Sequence, residues 1–153
     1  MARRILLIGY GNPAREDDGL GPAAAMALEN LSIDGLTVDA DYQLTVTDAA
    51  TVAEFDVVIF VDAAVEGIEP FSFGRLAPRS QSSFSSHSIS PEAVLALAEE
   101  LFGAKKEAYM LAIKGYSFAM FKEKMTLEAS ANLAKAVQFL AATIESGNFC
   151  EER

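Results

Sequence analysis

Residues 5–19 read Ile5-Leu6-Leu7-Ile8-Gly9-Tyr10-Gly11-Asn12-Pro13-Ala14-Arg15-Glu16-Asp17-Asp18-Gly19, an apolar run that ends in a glycine turn and three consecutive carboxylates. The uninterrupted apolar run predicts a strand that is covered on both faces, as in a parallel sheet. A glycine turn after such a strand lets the backbone come close to a ligand. Because the turn carries carboxylates, we expect that ligand to be a cation rather than an anion.

The rest of the chain alternates strands with helices. Apolar runs and two-residue alternation predict strands at residues 4–9, 36–42, 57–62, 70–76 and 109–113. Helical spacing and capping residues predict helices at residues 21–31, 48–55, 90–101 and 126–145, with a serine-rich loop at residues 77–88. This order predicts a single α/β domain over residues 1–153, a three-layer α/β/α sandwich with a mostly parallel sheet. Residues 146–153 are expected to form a frayed tail.

Three residues are the candidate site. The carboxyl ends of parallel strands meet at one edge of a sheet, and ligands bind there. Asp18 follows the first strand and Asp62 ends the strand at residues 57–62, so we expect both at this edge. His87, the only histidine, lies in the loop at residues 77–88. Two carboxylates and an imidazole suit a hard-to-borderline metal ion.

Each candidate also has an ordinary structural interpretation. Asp18 fits a helix cap, Asp62 fits a turn at a strand end, and His87 fits a solvated loop position. Asp17 is expected to be a structural acid rather than a ligand. The metal interpretation rests on the three residues together, because strand geometry alone brings Asp18 and Asp62 to one edge.

The net charge and the cysteine content limit the partners and the cellular compartment that we expect. The formal net charge of the 153 residues is −10, which argues against nucleic acid and anionic membranes as partners. Cys150 is the only cysteine, so no internal disulfide can form, and this fits a reducing compartment. No apolar run has the length of a signal-peptide core or a bilayer span. We therefore expect a cytoplasmic protein, and a monomer because the packed helices leave no long apolar stripe uncovered.

A nucleotide is the alternative ligand. Residues 9–14 satisfy the loose dinucleotide-binding pattern of spaced glycines, with alanine in the last place. In that motif a helix begins within the glycine run and cradles pyrophosphate, whereas Pro13 and the acids delay the helix here to about Gly19. The acids would also repel a phosphate. A non-catalytic module that binds a nucleotide or another small ligand remains the alternative function.

Four segments resemble the [NiFe]-hydrogenase maturation endopeptidases, and the resemblance covers almost the whole chain. They are Gly11-Asn12, Asp17-Asp18-Gly19-Leu20-Gly21-Pro22, Val61-Asp62-Ala63 and His87-Ser88. The resemblance implies a twisted, largely parallel five-stranded sheet between helices. It also implies that Asp18, Asp62 and His87 form the metal-binding and catalytic trio. The Gly11-Asn12 turn is expected to shape the cleft for the substrate's tail.

The resemblance further implies an activity. Members of this family remove a short C-terminal peptide from the hydrogenase large-subunit precursor after nickel has been inserted. The nickel is carried by the substrate, zinc or cadmium can occupy the site, and no organic cofactor is expected. A family member that docks on the precursor without cutting it is a further possibility.

Two segments depart from the family pattern, and one of them, Ala119-Met120-Phe121-Lys122, lacks an expected glycine. Many members carry Asp-Gly-Gly-Thr after the second strand, where this chain has Asp41-Tyr42-Gln43-Leu44-Thr45. Asp41 is therefore at best offset from the acid of that pattern. We expect such differences to bear on which hydrogenase is the client.

Overall fold

A computed structural model describes residues 3–81 and 89–149, and each strand and helix predicted above is present. The strands are β1 (Ile5–Tyr10), β2 (Leu36–Asp41), β3 (Val57–Ala64), β4 (Phe71–Arg75) and β5 (Glu107–Lys114). The helices are α1 (Leu20–Glu29), α2 (Thr47–Val52), α3 (Pro91–Phe102) and α4 (Leu127–Ser146). A single 3-10 turn, Glu16–Gly19, leads into α1 and contains the acids of the first loop.

The five strands form one sheet in the order β2-β1-β3-β5-β4. Strands β1, β2, β3 and β5 pair in parallel, and β4 pairs antiparallel with β5 at an edge. The predicted fold class, a five-stranded and mostly parallel α/β sheet, is confirmed. Strand β2 lies at the other edge, which agrees with its mixture of apolar and polar residues.

Two apolar cores lie between the sheet and the helices, one on each face of the sheet. Leu7 and Ile59 belong to the core under α1 and α4, whereas Ile8 and Phe60 belong to the core under α2 and α3. The separation follows from strand geometry, because successive side chains point to opposite faces of a sheet. Asp62, two residues after Phe60, therefore lies on the face covered by α2 and α3.

Two helices begin at capping residues, of which Ser90 is the cap that the sequence predicts. The Ala93 amide donates to Ser90 Oγ at 3.1 Å, and Pro91 occupies the first turn of α3. The Ala129 amide donates to Thr126 Oγ1 at 3.2 Å and starts α4. These bonds satisfy amide groups that have no partner within the helix.

The end of the chain differs from the frayed tail predicted from residue 146. Phe149 is only 8% exposed, and its ring stacks on Tyr109 with centroids 5.1 Å apart. The Arg3 guanidinium lies 5.5 Å from the centre of the same ring. The prediction is therefore wrong for residues 147–149, because an aromatic side chain recovers enough buried area to hold the segment. Cys150 and residues 151–153 lie outside the described residues.

None of the helices within residues 3–81 and 89–149 combines the length and the apolar character that crossing a bilayer requires.

Candidate active site

The acidic turn folds back on the glycine turn that precedes it. The Asn12 amide donates to Asp18 Oδ2 at 2.7 Å, and Gly11 adopts a positive φ of 144°. A Cβ at Gly11 would lie 2.1 Å from the Asp18 carbonyl oxygen, so only glycine allows this approach. The cap of α1 is Gly19 and has no side-chain bond. Asp18 is therefore not a helix cap, and its carboxylate is held beside the end of β1.

Asp62 lies inside β3, near the carboxyl end of that strand. One of its oxygens accepts the Ala63 amide at 2.7 Å. Burial raises the pKa of Asp62 to about 7, because a partly dry environment disfavours the charged form. The bond from Ala63 opposes this shift, the negative charge of Asp18 adds to it, and a hydrogen bond with Tyr10 opposes it.

Asp18 and Asp62 lie at the same edge of the sheet, as the parallel pairing predicts. Strands β1 and β3 are paired in parallel with Gly9 beside Val61, which brings the turn after β1 close to Asp62 near the end of β3. The side chains are close enough that the charge of Asp18 acts on the pKa of Asp62. Two neighbouring carboxylates repel each other, and a divalent cation between them would relieve that repulsion. Their service as ligands stays a prediction.

His87, the third predicted ligand, lies outside the described residues, together with the serines at positions 82, 83, 85, 86 and 88. Within the described part of the chain, no group of three or more histidine, cysteine, aspartate or glutamate residues could hold a metal ion. The described start of the same loop runs beside α3. There the Arg79 amide donates to the Glu92 carbonyl at 3.0 Å, and the Ser90 amide donates to Gln81 Oε1 at 3.1 Å.

Asp17 has a structural role, as the sequence predicts. Its side chain is 0% exposed and accepts four hydrogen bonds from residues 116–126. The donors are the amides of Tyr116 at 2.7 Å, Ser117 at 3.1 Å and Thr126 at 2.8 Å, and the Thr126 hydroxyl at 2.8 Å. Burial alone would raise the pKa of Asp17, but these bonds outweigh it and lower the pKa.

The segment after β5 is bound to the acidic turn along its backbone as well. The Glu16 amide donates to the Lys122 carbonyl at 2.7 Å, and the Lys122 amide donates to the Ala14 carbonyl at 2.9 Å. A Cβ at Gly115 would lie 2.9 Å from Asp17 Cβ, so a side chain there would push the two segments apart. Residues 115–126 therefore fix the position of the turn that carries Asp18.

Tyr10 is a site residue that the sequence analysis did not single out. It ends β1, next to the position of Asp62 on β3, and its hydroxyl hydrogen-bonds with the Asp62 carboxylate. Burial raises the pKa of Tyr10 far above its ordinary value, and the charges of Asp62 and Glu92 add to this shift. The signal in the sequence is that Tyr10 and Asp62 each stand within two residues of the end of an apolar run, in strands that prove to be neighbours.

A groove of about 290 Å³ lies beside the acidic turn. We call it the β1–β2 groove; it is lined by Gly11, Pro13, Pro22, Ala40, Asp41 and Tyr42. The Gly11 amide donates to the Asp41 carbonyl at 3.0 Å, which joins the end of β1 to the end of β2. Gly11 thus forms part of both the groove and the turn that holds Asp18. Asp41 and Tyr42 belong to one of the segments in which the sequence departs from the family pattern.

The class of fold is that of the hydrogenase maturation proteases. The HycI protease of Thermococcus kodakarensis, described as a [NiFe] hydrogenase maturation protease, is 21% identical with a TM-score of 0.73, over 94% of this chain and 93% of that chain. The hydrogenase 2 maturation peptidase of Thaumarchaeota archaeon SCGC_AB-539-E09 is 21% identical with a TM-score of 0.69, over 93% and 98%. The hydrogenase maturating endopeptidase HybD of E. coli is 24% identical with a TM-score of 0.63, over 94% of both chains.

These likenesses establish the fold, and the fold implied by the sequence resemblance is confirmed. The family named from the sequence motifs is the one whose solved structures share this fold. No family model matches the sequence, and no curated protein matches it.

A nucleotide-binding module is not favoured. Asp17 and Asp18 lie in the turn directly before α1, where a bound phosphate would need the amides of the helix start. The Asp17 carboxylate is fully engaged with residues 116–126 and cannot move away.

Proposed function

We propose that this chain is an endopeptidase that removes the C-terminal extension of a [NiFe]-hydrogenase large-subunit precursor after nickel insertion. The observation that carries the proposal is the pairing of Asp18 with Asp62 at the carboxyl edge of the sheet. The pairing occurs in a fold shared, over more than nine-tenths of each chain, with proteins described as hydrogenase maturation proteases. The substrate class and the timing after nickel insertion come from the sequence resemblance.

In this proposal the nickel belongs to the substrate. Asp18, Asp62 and His87 would add oxygen and nitrogen ligands to an ion that the client already holds, and zinc or cadmium could occupy the same ligands. No organic cofactor is needed. A substrate-held divalent ion can polarise the scissile carbonyl or activate a water molecule. The Gly11-Asn12 turn would line the path of the client's tail.

The raised pKa of Asp62 suits contact with a divalent ion that the client holds. A carboxyl group with a pKa of about 7 is partly protonated near neutral pH. A cation beside it would favour the charged form and release the proton. We therefore expect Asp62 to meet the metal as a carboxylate and to act as a ligand.

The proposal is tested by processing of a purified precursor in its nickel-loaded and nickel-free forms. The wild-type chain should shorten only the nickel-loaded form. Asp18→Ala and His87→Ala should each lower the rate by about 10²–10³-fold or more, because each removes a ligand. Thermal unfolding of both variants should stay close to that of the wild type.

Asp34→Ala is the matched control, because Asp34 is exposed and precedes the amino-terminal end of β2, whereas Asp18 and Asp62 lie at the carboxyl ends of their strands. It should process the precursor at the wild-type rate. Full processing by Asp18→Ala would remove the site assignment. Binding of the precursor by the wild type without cleavage would instead identify a docking protein. A cytoplasmic location, a monomeric state and a single domain stay predictions of the sequence.

A further inference from the structure

Phe121 is the most exposed of the large apolar side chains in residues 3–81 and 89–149. It is 87% exposed, and Met120 beside it is 53% exposed. The Phe121 ring therefore makes almost no contact with the rest of its own chain. Single exposed apolar residues are common on protein surfaces, so exposure alone assigns no role to this ring.

The backbone of Phe121 adopts a conformation that favours glycine. Its φ is 62°, in the left-handed region, where any side chain other than that of glycine costs free energy. Residues 119–122 are also the segment in which the family pattern leads us to expect a glycine. The chain thus accepts backbone strain and keeps an aromatic ring in water. A partner that covers the ring would account for both unfavourable features.

The acidic turn holds residues 119–121 from both sides. Before them, the Ser117 carbonyl accepts the Asp17 amide at 3.0 Å. After them, the Lys122 amide donates to the Ala14 carbonyl at 2.9 Å. The ring is therefore presented on a fixed backbone, which reduces the entropy that is lost when a partner binds.

The charges beside the ring favour an acidic partner surface. Lys122 and Lys124 are exposed, and neither takes part in an ion pair within the described part of the chain. Glu123 is the only acid in residues 115–125, whereas the whole chain has a net charge of −10. A symmetric contact with a second copy would place these lysines against each other. The better complement is an apolar pocket with an acidic rim on a different protein.

The place of the ring points to the client. The turn that holds residues 119–121 also carries Asp18, so a molecule that meets Asp18 and Asp62 lies beside Phe121. A surface that binds an extended tail offers pockets for the side chains of the tail. An almost fully exposed ring instead has to enter a pocket of its partner, and a folded domain supplies such a pocket.

We infer that Phe121, together with Met120, is an apolar anchor that inserts into the folded body of the precursor. Lys122 and Lys124 favour an acidic rim around the pocket that the ring enters. The inference rests on the proposed function for the identity of the client. The anchor is separate from the metal-facing carboxylates, so it holds the precursor with or without nickel.

Binding of the nickel-free precursor tests the inference, because we expect no cleavage of that form. Titration calorimetry with the full chain measures Kd. Phe121→Gly should weaken binding about 10-fold or more, because it removes the ring. Its Tm should not fall, since glycine suits the positive φ. Lys124→Glu should weaken binding about 3-fold, and raised salt should reduce that effect.

Two variants serve as matched controls. Phe102→Ser removes another exposed ring, which lies at the end of α3 and precedes the amino-terminal end of β5. Lys135→Glu reverses the charge of an exposed lysine within α4. Both should bind the precursor like the wild type.

Processing of the nickel-loaded precursor supplies the second readout. Phe121→Gly should raise KM about 10-fold and change kcat less than about twofold, because the ring binds but does not react. Equal Kd values for the wild type and Phe121→Gly, or an equal loss in Phe102→Ser, would overturn the inference.

Sedimentation of the chain alone examines the other occupant of the ring. A wild-type dimer that Phe121→Gly abolishes would also overturn the inference, because a second copy would then cover the ring. A wild type that binds the precursor through Phe121 but never cuts the nickel-loaded form would overturn the proposed function alone.

Discussion

Asp17 is a buried and Asp62 a half-buried carboxylate near the same edge of the sheet, and their surroundings differ sharply. Asp17 is sealed inside the loop between residues 115 and 126 and accepts four hydrogen bonds. Asp62 has one backbone bond, from Ala63, and faces the charge of Asp18. The pKa of Asp17 is accordingly lowered, whereas the pKa of Asp62 is raised to about 7.

The comparison teaches that hydrogen bonding, rather than burial, decides the direction in which the pKa of each acid moves. A charged group that finds enough donors stabilises the folded chain, whereas one that is dry and poorly bonded destabilises it. The two residues therefore make opposite contributions to pH dependence. Asp17 stabilises the fold above its unfolded pKa of 3.8 and loses that effect on acidification. The raised pKa of Asp62 has the opposite effect, because its charged form is disfavoured in the folded chain and stability falls as pH rises from 3.8 to about 7.

The largest expected effect on stability comes from removing the Asp17 carboxylate, which accepts four hydrogen bonds. Asp17→Ala would leave the amides of Tyr116, Ser117 and Thr126 without partners in a buried place. We expect the free energy of unfolding to fall by about 3–5 kcal/mol, because each unsatisfied donor costs about 1–3 kcal/mol. Urea unfolding at pH 7 measures this loss. Asp62→Ala, measured in parallel, should not lower the stability by more than about 1 kcal/mol. Similar losses in both variants would abolish the distinction between the two acids.

A smaller effect should appear in the pH dependence of stability. In the folded chain Asp62 holds its proton up to about pH 7, whereas in the unfolded chain it releases it near 3.8. Stability should therefore fall as pH rises through this window, and Asp62→Asn should lack that fall. Relative to the wild type, Asp62→Asn should gain about 2–4 kcal/mol between pH 4 and pH 8.

Denaturant unfolding at several pH values measures this difference, with Asp34→Asn as the control that should follow the wild-type curve. The comparison uses the difference between two proteins, so the titration of other carboxylates cancels. A constant difference between the wild type and Asp62→Asn across the range would show that Asp62 titrates normally.

The smallest effect concerns the partner of Asp62 on β1. The Tyr10 hydroxyl lowers the pKa of Asp62, so Tyr10→Phe should raise that pKa further, by up to about one unit. The change in stability should stay below about 1 kcal/mol. Titration of the Asp62 carboxyl carbon by NMR measures the shift. Tyr42→Phe, in the β1–β2 groove, should leave the titration of Asp62 unchanged. If the pKa of Asp62 is the same in Tyr10→Phe and Tyr42→Phe, the Tyr10 hydroxyl does not act on Asp62.

Local patterns predicted most of the fold. The apolar run of β1, the alternation of β2 and the serine cap at Ser90 each depend on neighbouring residues, and each was found in place. The meeting of Asp18 and Asp62 could also be predicted, because it requires only that two apolar strands run in parallel. The antiparallel direction of β4 had no such local signal.

Contacts between distant residues could not be predicted. Asp17 was expected to be structural, yet its donors follow it by 99 to 109 positions, and no spacing rule connects them. Asp41 and Tyr42 form a groove only because β2 pairs with β1 in one particular register. His87 lies outside the described residues, so its place beside the two carboxylates stays a prediction.

The hydroxyl of Thr126 donates to Asp17 and at the same time accepts the amide of Ala129 at the start of α4. One oxygen atom therefore couples the first turn of the C-terminal helix to the acidic turn near the N-terminus. Fraying of α4 at this end would release a donor from Asp17 and loosen the backbone that presents Asp18. The acidic turn and the first turn of α4 should thus open as one cooperative unit, with similar hydrogen-exchange protection at Asp17 and Ala129.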